Sequence, residues 1–334
     1  MTRRLQILTS IVISILTLLF VLQKVDLREV TRTFISTNYP YLVLAGLCSM
    51  LAFFLAAVRW RYLLLPLQAI RLKMLFSTLM VGFFSNYLLP AKAGELVRLF
   101  VLGRRTGLSE SAILATIVLE RAIDVFILTV ALLGVLLILP LPDWMSYVGE
   151  VAGVMLVGVF VVLVVLLCRS QHVIGLATRV LNPISTRLAR RITARLEAFT
   201  KGLEVLRRSS NLGWALFFSL LDWVASAGVQ YLVGLALGVR THWIAYVLLV
   251  ALFNLIAIIP SLPGRIGTWE LVSIGALALF GIDSGRAVAF PTLLRVSHLM
   301  PLALGYFYFS REGLHLLEIY GGREATTLSQ GEQS

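Results

Sequence analysis

The chain has 334 residues, 59% of them hydrophobic and only 14% charged, with a mean hydropathy of +0.91 and a formal net charge of +12. No soluble fold of this length buries so much apolar surface, which excludes a water-soluble enzyme and leaves a polytopic membrane protein.

The opening MTRRLQILTSIVISILTLLFVLQKV has a basic start and a long apolar core with no small-residue cleavage site after it. It reads as a first transmembrane helix over 5–22 and not as a signal peptide. A second span is expected over 41–58; both are long enough for a hydrocarbon core of ~30 Å. Arg59, Arg61, Arg71 and Lys73 then follow on the side of Arg3 and Arg4, so the positive-inside rule makes that side, and the N-terminus, cytoplasmic. Residues 74–89 are apolar, but a full crossing would leave Arg104 and Arg105 outside. A re-entrant hairpin returns the pair to the cytoplasm and is the preferred reading.

A long helix over 110–139 carries Glu120, Arg121 and Asp124 and ends at Pro140. An external turn with Trp144 and Tyr147 as interfacial anchors leads into the apolar run 148–168. The stretch 169–210 is basic, and Leu181, Ile184, Leu188, Ile192, Leu196 and Phe199 recur at three- and four-residue steps. This predicts an amphipathic helix at about 176–208, lying along anionic lipid headgroups on the cytoplasmic face. Nucleic acid is not expected as a partner, because base-reading motifs are absent and the charge sits where the membrane rule demands it. Residues 211–237 cross outward with Asp222 near the middle. A second hairpin, 244–259 and 270–281, enters from the opposite face, and 286–309 crosses inward. Cys48 and Cys168 both lie in apolar stretches and read as small buried hydrophobes.

One pattern occurs twice. Asn86 and Asn254 each sit in an apolar helix that breaks at Pro and Gly, and Glu95 or Glu270 follows the break. Then come the pairs Gly107-Leu108 and Gly281-Ile282, an arginine fourteen residues beyond each glycine, Arg121 and Arg295, and a polar group three further on, Asp124 or His298. Broken helices in both halves are expected of a transporter built from repeats. The expected fold is an all-α polytopic membrane protein of about six full transmembrane helices plus two re-entrant or broken hairpins arranged as inverted repeats, about 72–124 and 244–298. They form a single domain over 1–320, ahead of a disordered tail over 321–334. Both termini face the cytoplasm, in the cytoplasmic membrane.

The segments NYLLPAKAGELVR from Asn86, GLS at Gly107, ERAID from Glu120, PSLPGRIGTWE from Pro260 and GID at Gly281 resemble the lysylphosphatidylglycerol synthetase transmembrane-region family of flippase-like membrane proteins, over about residues 5–315. The resemblance implies an α-helical inner-membrane protein that translocates lipids, whether aminoacylated phosphatidylglycerol or polyprenyl-linked lipids. Members that also synthesise lysylphosphatidylglycerol carry a large soluble catalytic domain after the membrane part. The present chain stops short of one, so synthase activity is not expected.

An ionisable residue at the centre of a lone membrane helix costs ~2.5–3.5 kcal/mol on insertion scales, so Glu120, Arg121, Asp124, Asp222 and Arg295 must face one another or a wet cavity. Arg121 and Arg295 enter from opposite faces, each about 14–17 Å from its helix start at ~1.5 Å per residue, and both would reach the midplane. Two roles stay open. In one, the charges form internal salt bridges, Arg121 with Asp124, Asp222 with either arginine, Glu120 with Lys92. In the other, the two arginines bind a lipid phosphate in forked geometry. The candidate substrate-binding residues are Asn86, Lys92, Glu95, Arg98, Glu120, Arg121, Asp124, Asp222, Asn254, Arg265, Glu270, Arg295 and His298. The breaks at Pro90, Gly94, Pro260, Pro263, Gly264 and Gly267 either kink the helices or free backbone N–H groups for a phosphate.

The function expected is movement of an anionic or phosphate-containing lipid. An accessory membrane protein and an intramembrane lipid-modifying enzyme are the alternatives. The histidines His172, His242 and His315 lack ligand-like spacing and no nucleotide loop is visible, so no catalytic residue, metal or cofactor is expected. Proton coupling through Glu120, Asp124 or His298 and passive scrambling both fit.

Overall fold

The computed structural model describes residues 32–88, 94–138, 186–203, 209–255 and 265–312, with scattered positions between 147 and 182. The expected first helix 5–22, the turn at 140–146, most of 148–185, Pro90, Lys92, Pro260, Pro263, Gly264 and the tail lie outside the described residues. Every described regular element is an α-helix. Three stretches among them, Tyr39–Leu64, Ser210–Ala236 and Ser284–Arg311, are long and apolar enough to cross a membrane.

Helix α1 (Tyr39–Leu64) begins with Pro40 in its first turn, where the missing N–H costs nothing. It runs six residues past the expected end at residue 58, because Trp60, Leu63 and Leu64 continue its buried face. Leu44, Leu47, Leu51 and Phe54 form an exposed apolar stripe on its other side, as a lipid-facing helix requires. It lies antiparallel to α6 (Ser209–Ala236). The Asn38 N–H donates to the Ala236 carbonyl at 2.8 Å at one end, and Tyr62 stacks on Phe218 at 5.6 Å at the other.

Helices α2 (Leu72–Leu88) and α3 (Gly94–Thr106) form a hairpin. Gly94 sits against the Gly82 carbonyl and the Asn86 amide so closely that a Cβ has no room. Its N–H donates to Asn86 Oδ1 at 2.9 Å, which closes the turn. At the open end Arg105 donates to Ser77 and Thr78 at 2.8 and 3.0 Å and pairs with Glu312, so the far end of α3 returns to the start of α2.

Gly107 (φ +74°) stops α3 in the left-handed conformation that glycine adopts without strain, and the Ser109 hydroxyl caps α4 (Glu110–Ile138). The same device recurs later. After α7 (Trp243–Leu255) and α8 (Thr268–Ala278), Gly281 (φ +70°) reverses the chain, and Asp283 accepts the Arg286 N–H at 2.9 Å to cap α9 (Ser284–Ser297).

The crossing expected as one helix over 286–309 has a corner at His298, between α9 and α10 (Leu299–Arg311). Pro301 has no N–H to offer the Ser297 carbonyl, and the His298 N–H tightens onto Arg295 O at 3.1 Å.

The two halves exchange neighbours. Helix α2 packs on α10 and α7 on α4; α1 touches α2 as α6 touches α7; α1 meets α4 as α6 meets α9. Helix α5 (Thr186–Gly202) lies against α4, with Gly202 on the Ala112 backbone and Leu203 buried, while Arg190, Arg195 and Lys201 stay exposed. It covers part of the helix expected at 176–208, whose remaining residues lie mostly outside the described ones.

Candidate functional site

The first half builds a closed ionic cluster around Glu120. Arg98 grips this carboxylate in a fork at 2.6 and 3.1 Å, Arg59 donates to it at 2.9 Å and Arg121 at 2.6 Å. Arg59 also reaches Asp124 at 2.7 Å and Asp222 at 3.5 Å. Arg121 reaches Asp124 at 3.3 Å and Glu95 at 3.6 Å. The Arg98 guanidinium lies 3.5 Å over the Trp60 ring, and Trp223 donates to Asp124 at 3.1 Å. Buried charges persist in an apolar setting only when they are paired.

Arg59 is a site residue that the sequence reading misses. The charge rule groups it with the basic residues at the helix end, yet its side chain is only 3% exposed and it sits at the centre of the cluster. It takes the place expected for two other partners, since Asp222 pairs with Arg59 and with neither Arg121 nor Arg295, and Glu120 is saturated by three arginines. The signal was helical phase. Ala45, Ser49, Ala52, Ala56 and Arg59 follow one another at alternating steps of four and three, a small-residue stripe that leads to the arginine. Arg61, two residues on, points the other way and is exposed.

The second half is sparser. Glu270 caps α8 by accepting the Gly267 N–H at 2.8 Å, and its carboxylate takes Arg295 at 2.6 and 3.3 Å. Arg295 also donates to the Arg265 carbonyl at 3.2 Å. Arg265 holds φ +57°, a conformation that costs a non-glycine residue ~1–2 kcal/mol. Its guanidinium lies 5.1 Å from the Trp269 ring centre, and no carboxylate among the described residues pairs with it. It stands within electrostatic range of Arg121, Arg295 and the Tyr87 hydroxyl, and His298 faces it in turn. The His298 Nδ1 is buried with no hydrogen-bond partner among the described residues.

The structure thus brings together Glu95, Arg98, Glu120, Arg121, Asp124 and Asp222 in one group and Arg265, Glu270, Arg295 and His298 in another, with Arg265 within electrostatic range of Arg121. In each half the glutamate after the break pairs with the arginine fourteen residues past the glycine. Arg121 is the open member of the first group, with 48% of its side chain exposed. Two candidates stand apart. Asn86 closes the hairpin turn, and Asn254 donates to the Val250 carbonyl of its own helix at 2.8 Å. Among the described residues no three His, Cys, Asp or Glu side chains are placed to hold a metal ion.

Residues 7–305 match the family model described as the lysylphosphatidylglycerol synthase TM region. The chain is similar to a UPF0104 membrane protein of Methanothermobacter thermautotrophicus, 25% identical over 309 residues that cover 89% of this chain and 91% of that protein. It is also similar to one of Methanocaldococcus jannaschii, 23% identical over 314 residues (89% of this chain, 92% of that protein). A third, of Pyrococcus horikoshii, is 22% identical over 315 residues (88% and 94%). No solved structure matches. With nearly its whole length matched and three described helical stretches long and apolar enough to cross a bilayer, the chain belongs to the lysylphosphatidylglycerol synthase transmembrane-region family of multi-pass membrane proteins.

Proposed function

We propose that this protein moves a phosphate-bearing lipid across the cytoplasmic membrane, with Arg121, Arg265 and Arg295 taking the headgroup in the cavity between its two halves. One observation carries this reading: Arg265 has no carboxylate partner among the described residues, yet its guanidinium shares the Trp269 ring with that of Arg295, at 5.1 and 5.6 Å, and lies within electrostatic range of the half-open Arg121. Like charges crowded in a low-dielectric site repel strongly, and an anion with several acceptor oxygens relieves that repulsion. Guanidinium forks match phosphate oxygens in geometry as well as charge.

Inverted repeats fit the exchange of neighbours between the halves, with α2 on α10 and α7 on α4. In this reading both hairpins are re-entrant, both termini are cytoplasmic, and the basic face of α5 lies on anionic headgroups. The lipid headgroup crosses through the wet junction while its chains stay in the bilayer beside the outer helix faces.

The test is a flip assay in liposomes with fluorescent phosphatidylglycerol, paired with thermal melting. Arg265→Gln keeps hydrogen-bond donors and removes the charge. It is expected to melt like the wild type and to lose most lipid movement. Wild-type protein that moves no lipid would favour an accessory role, and Arg265→Gln moving lipid at the wild-type rate would remove the cavity from the mechanism.

A further inference from the structure

The second half buries two polar groups that no described residue satisfies. The Trp269 indole N–H and the Ser273 hydroxyl are shielded from solvent without a hydrogen-bond partner, in residues that are 7% and 0% exposed. A buried polar group left unpaired is costly and native folds keep few of them, so each calls for a partner from elsewhere. Thr129, Gln230 and His298 also carry such atoms, but each stands on a different element, α4, α6 and the corner after α9. Trp269 and Ser273 are four residues apart on α8 and therefore share one face. Side chains tilt toward a helix's N-terminus, which leans Ser273 back toward Trp269.

The pair borders the arginines. The Trp269 ring stacks on Phe253 with centroids 4.9 Å apart, and the Arg265 and Arg295 guanidinia lie 5.1 and 5.6 Å from its centre. Glu270, the next residue along α8, fixes Arg295 there through its fork at 2.6 and 3.3 Å. The indole nitrogen is on the rim of that same ring. A phosphate seated on Arg265 brings the group it is esterified to toward that rim.

Hydrogen-bond chemistry selects the group. The indole N–H only donates, whereas a serine hydroxyl both donates and accepts. A hydroxyl on the ligand answers both, its oxygen accepting from Trp269 and its proton going to Ser273 Oγ. An ammonium offers the indole no acceptor, and neither side chain carries a charge to attract one. A plain alkyl group answers neither.

We infer that Trp269 and Ser273 form a hydroxyl-recognising subsite beside the arginines, so that the lipid moved is a phosphodiester whose headgroup carries a free hydroxyl, as glycerol or a sugar does. The subsite rests on the lipid-moving reading above and adds to it the part of the headgroup beyond the phosphate.

The test is calorimetric titration of the detergent-solubilised protein with short-chain phosphatidylglycerol and with phosphatidylethanol of the same chains, which has the same phosphodiester charge but no free hydroxyl. The wild type is expected to bind phosphatidylglycerol about tenfold more tightly, and in Ser273→Ala and Trp269→Phe that preference is expected to shrink toward parity. Equal affinity in the wild type overturns the subsite and leaves the phosphate site standing. A preference that either variant keeps in full overturns its assignment to Trp269 and Ser273. A wild type that binds neither lipid defeats the subsite and the proposed function together. Thermal melting gives a readout without lipid. Ser273→Ala removes a buried hydroxyl that has no partner among the described residues, so it is expected to melt at or above the wild-type temperature. A clear fall would mean that the protein itself satisfies Ser273, and would overturn the proposal.

Discussion

The two halves carry the same pattern of break, glutamate, glycine stop and arginine, but they spend their charges differently. In the first half Arg59 and Arg98 are buried and doubly held, and Glu120 is bound by three arginines. In the second half Glu270 holds Arg295, and Arg265 has no carboxylate partner among the described residues. The closed cluster pairs its buried arginines with carboxylates, and the open one keeps a cation that no described carboxylate holds. A buried arginine is therefore not informative by itself; its count of carboxylates separates a structural charge from one available to a ligand.

Breaking the closed half has the largest expected effect. Glu120→Ala strands three arginines in the interior, and removing one member of a buried pair costs ~3–5 kcal/mol. Thermal melting of the purified variant is expected to show a large fall in midpoint or no folded protein. A variant that melts like the wild type would mean that water, not Glu120, satisfies those arginines.

The next effect belongs to the hairpin that supports this cluster. Gly94→Ala places a methyl group against the Gly82 carbonyl, and forced overpacking costs ~1–3 kcal/mol. Gly134, by contrast, has open space where a Cβ would stand, so Gly134→Ala is expected to leave the melting temperature near or above the wild-type value. The two variants are compared in the same melting experiment, and equal behaviour would contradict the close approach of α2 and α3.

Asp283→Ala removes the cap of α9 and is expected to cost ~1 kcal/mol, read as a small shift in melting. Because α9 carries Arg295, a loss of lipid movement far beyond that shift would show that the cap positions the arginine as well as stabilising the helix.

Much of this organisation was legible in the chain. The pairs Gly107-Leu108 and Gly281-Ile282 and the equal spacing beyond them picked out Arg121 and Arg295, and the structure adds that both glycines are left-handed stops followed by caps at Ser109 and Asp283. Three features were not legible, each for a physical reason. Arg59 stands near a helix end, where a lipid-facing arginine and a buried one have the same local sequence, and only the phase of the small residues before it separates them. The corner at His298 depends on Pro301, whose missing N–H acts on a carbonyl four residues earlier. The two asparagines share a position in the pattern but not a task, because Asn86 has Gly94 pressed against it and Asn254 turns back to its own helix.

Arg265→Gln has the smallest expected effect on stability, within about 0.5 kcal/mol of the wild type, since it breaks no ion pair among the described residues. That makes it the sharpest probe of the open half. The decisive measurement is calorimetric titration of the detergent-solubilised protein with short-chain phosphatidylglycerol, for the wild type and Arg265→Gln side by side. A charge-assisted hydrogen bond is worth ~1.5–3 kcal/mol, so the variant is expected to bind about tenfold to a hundredfold more weakly while melting at the same temperature. Equal affinity in the two proteins would contradict the assignment of the junction between the halves as the headgroup site.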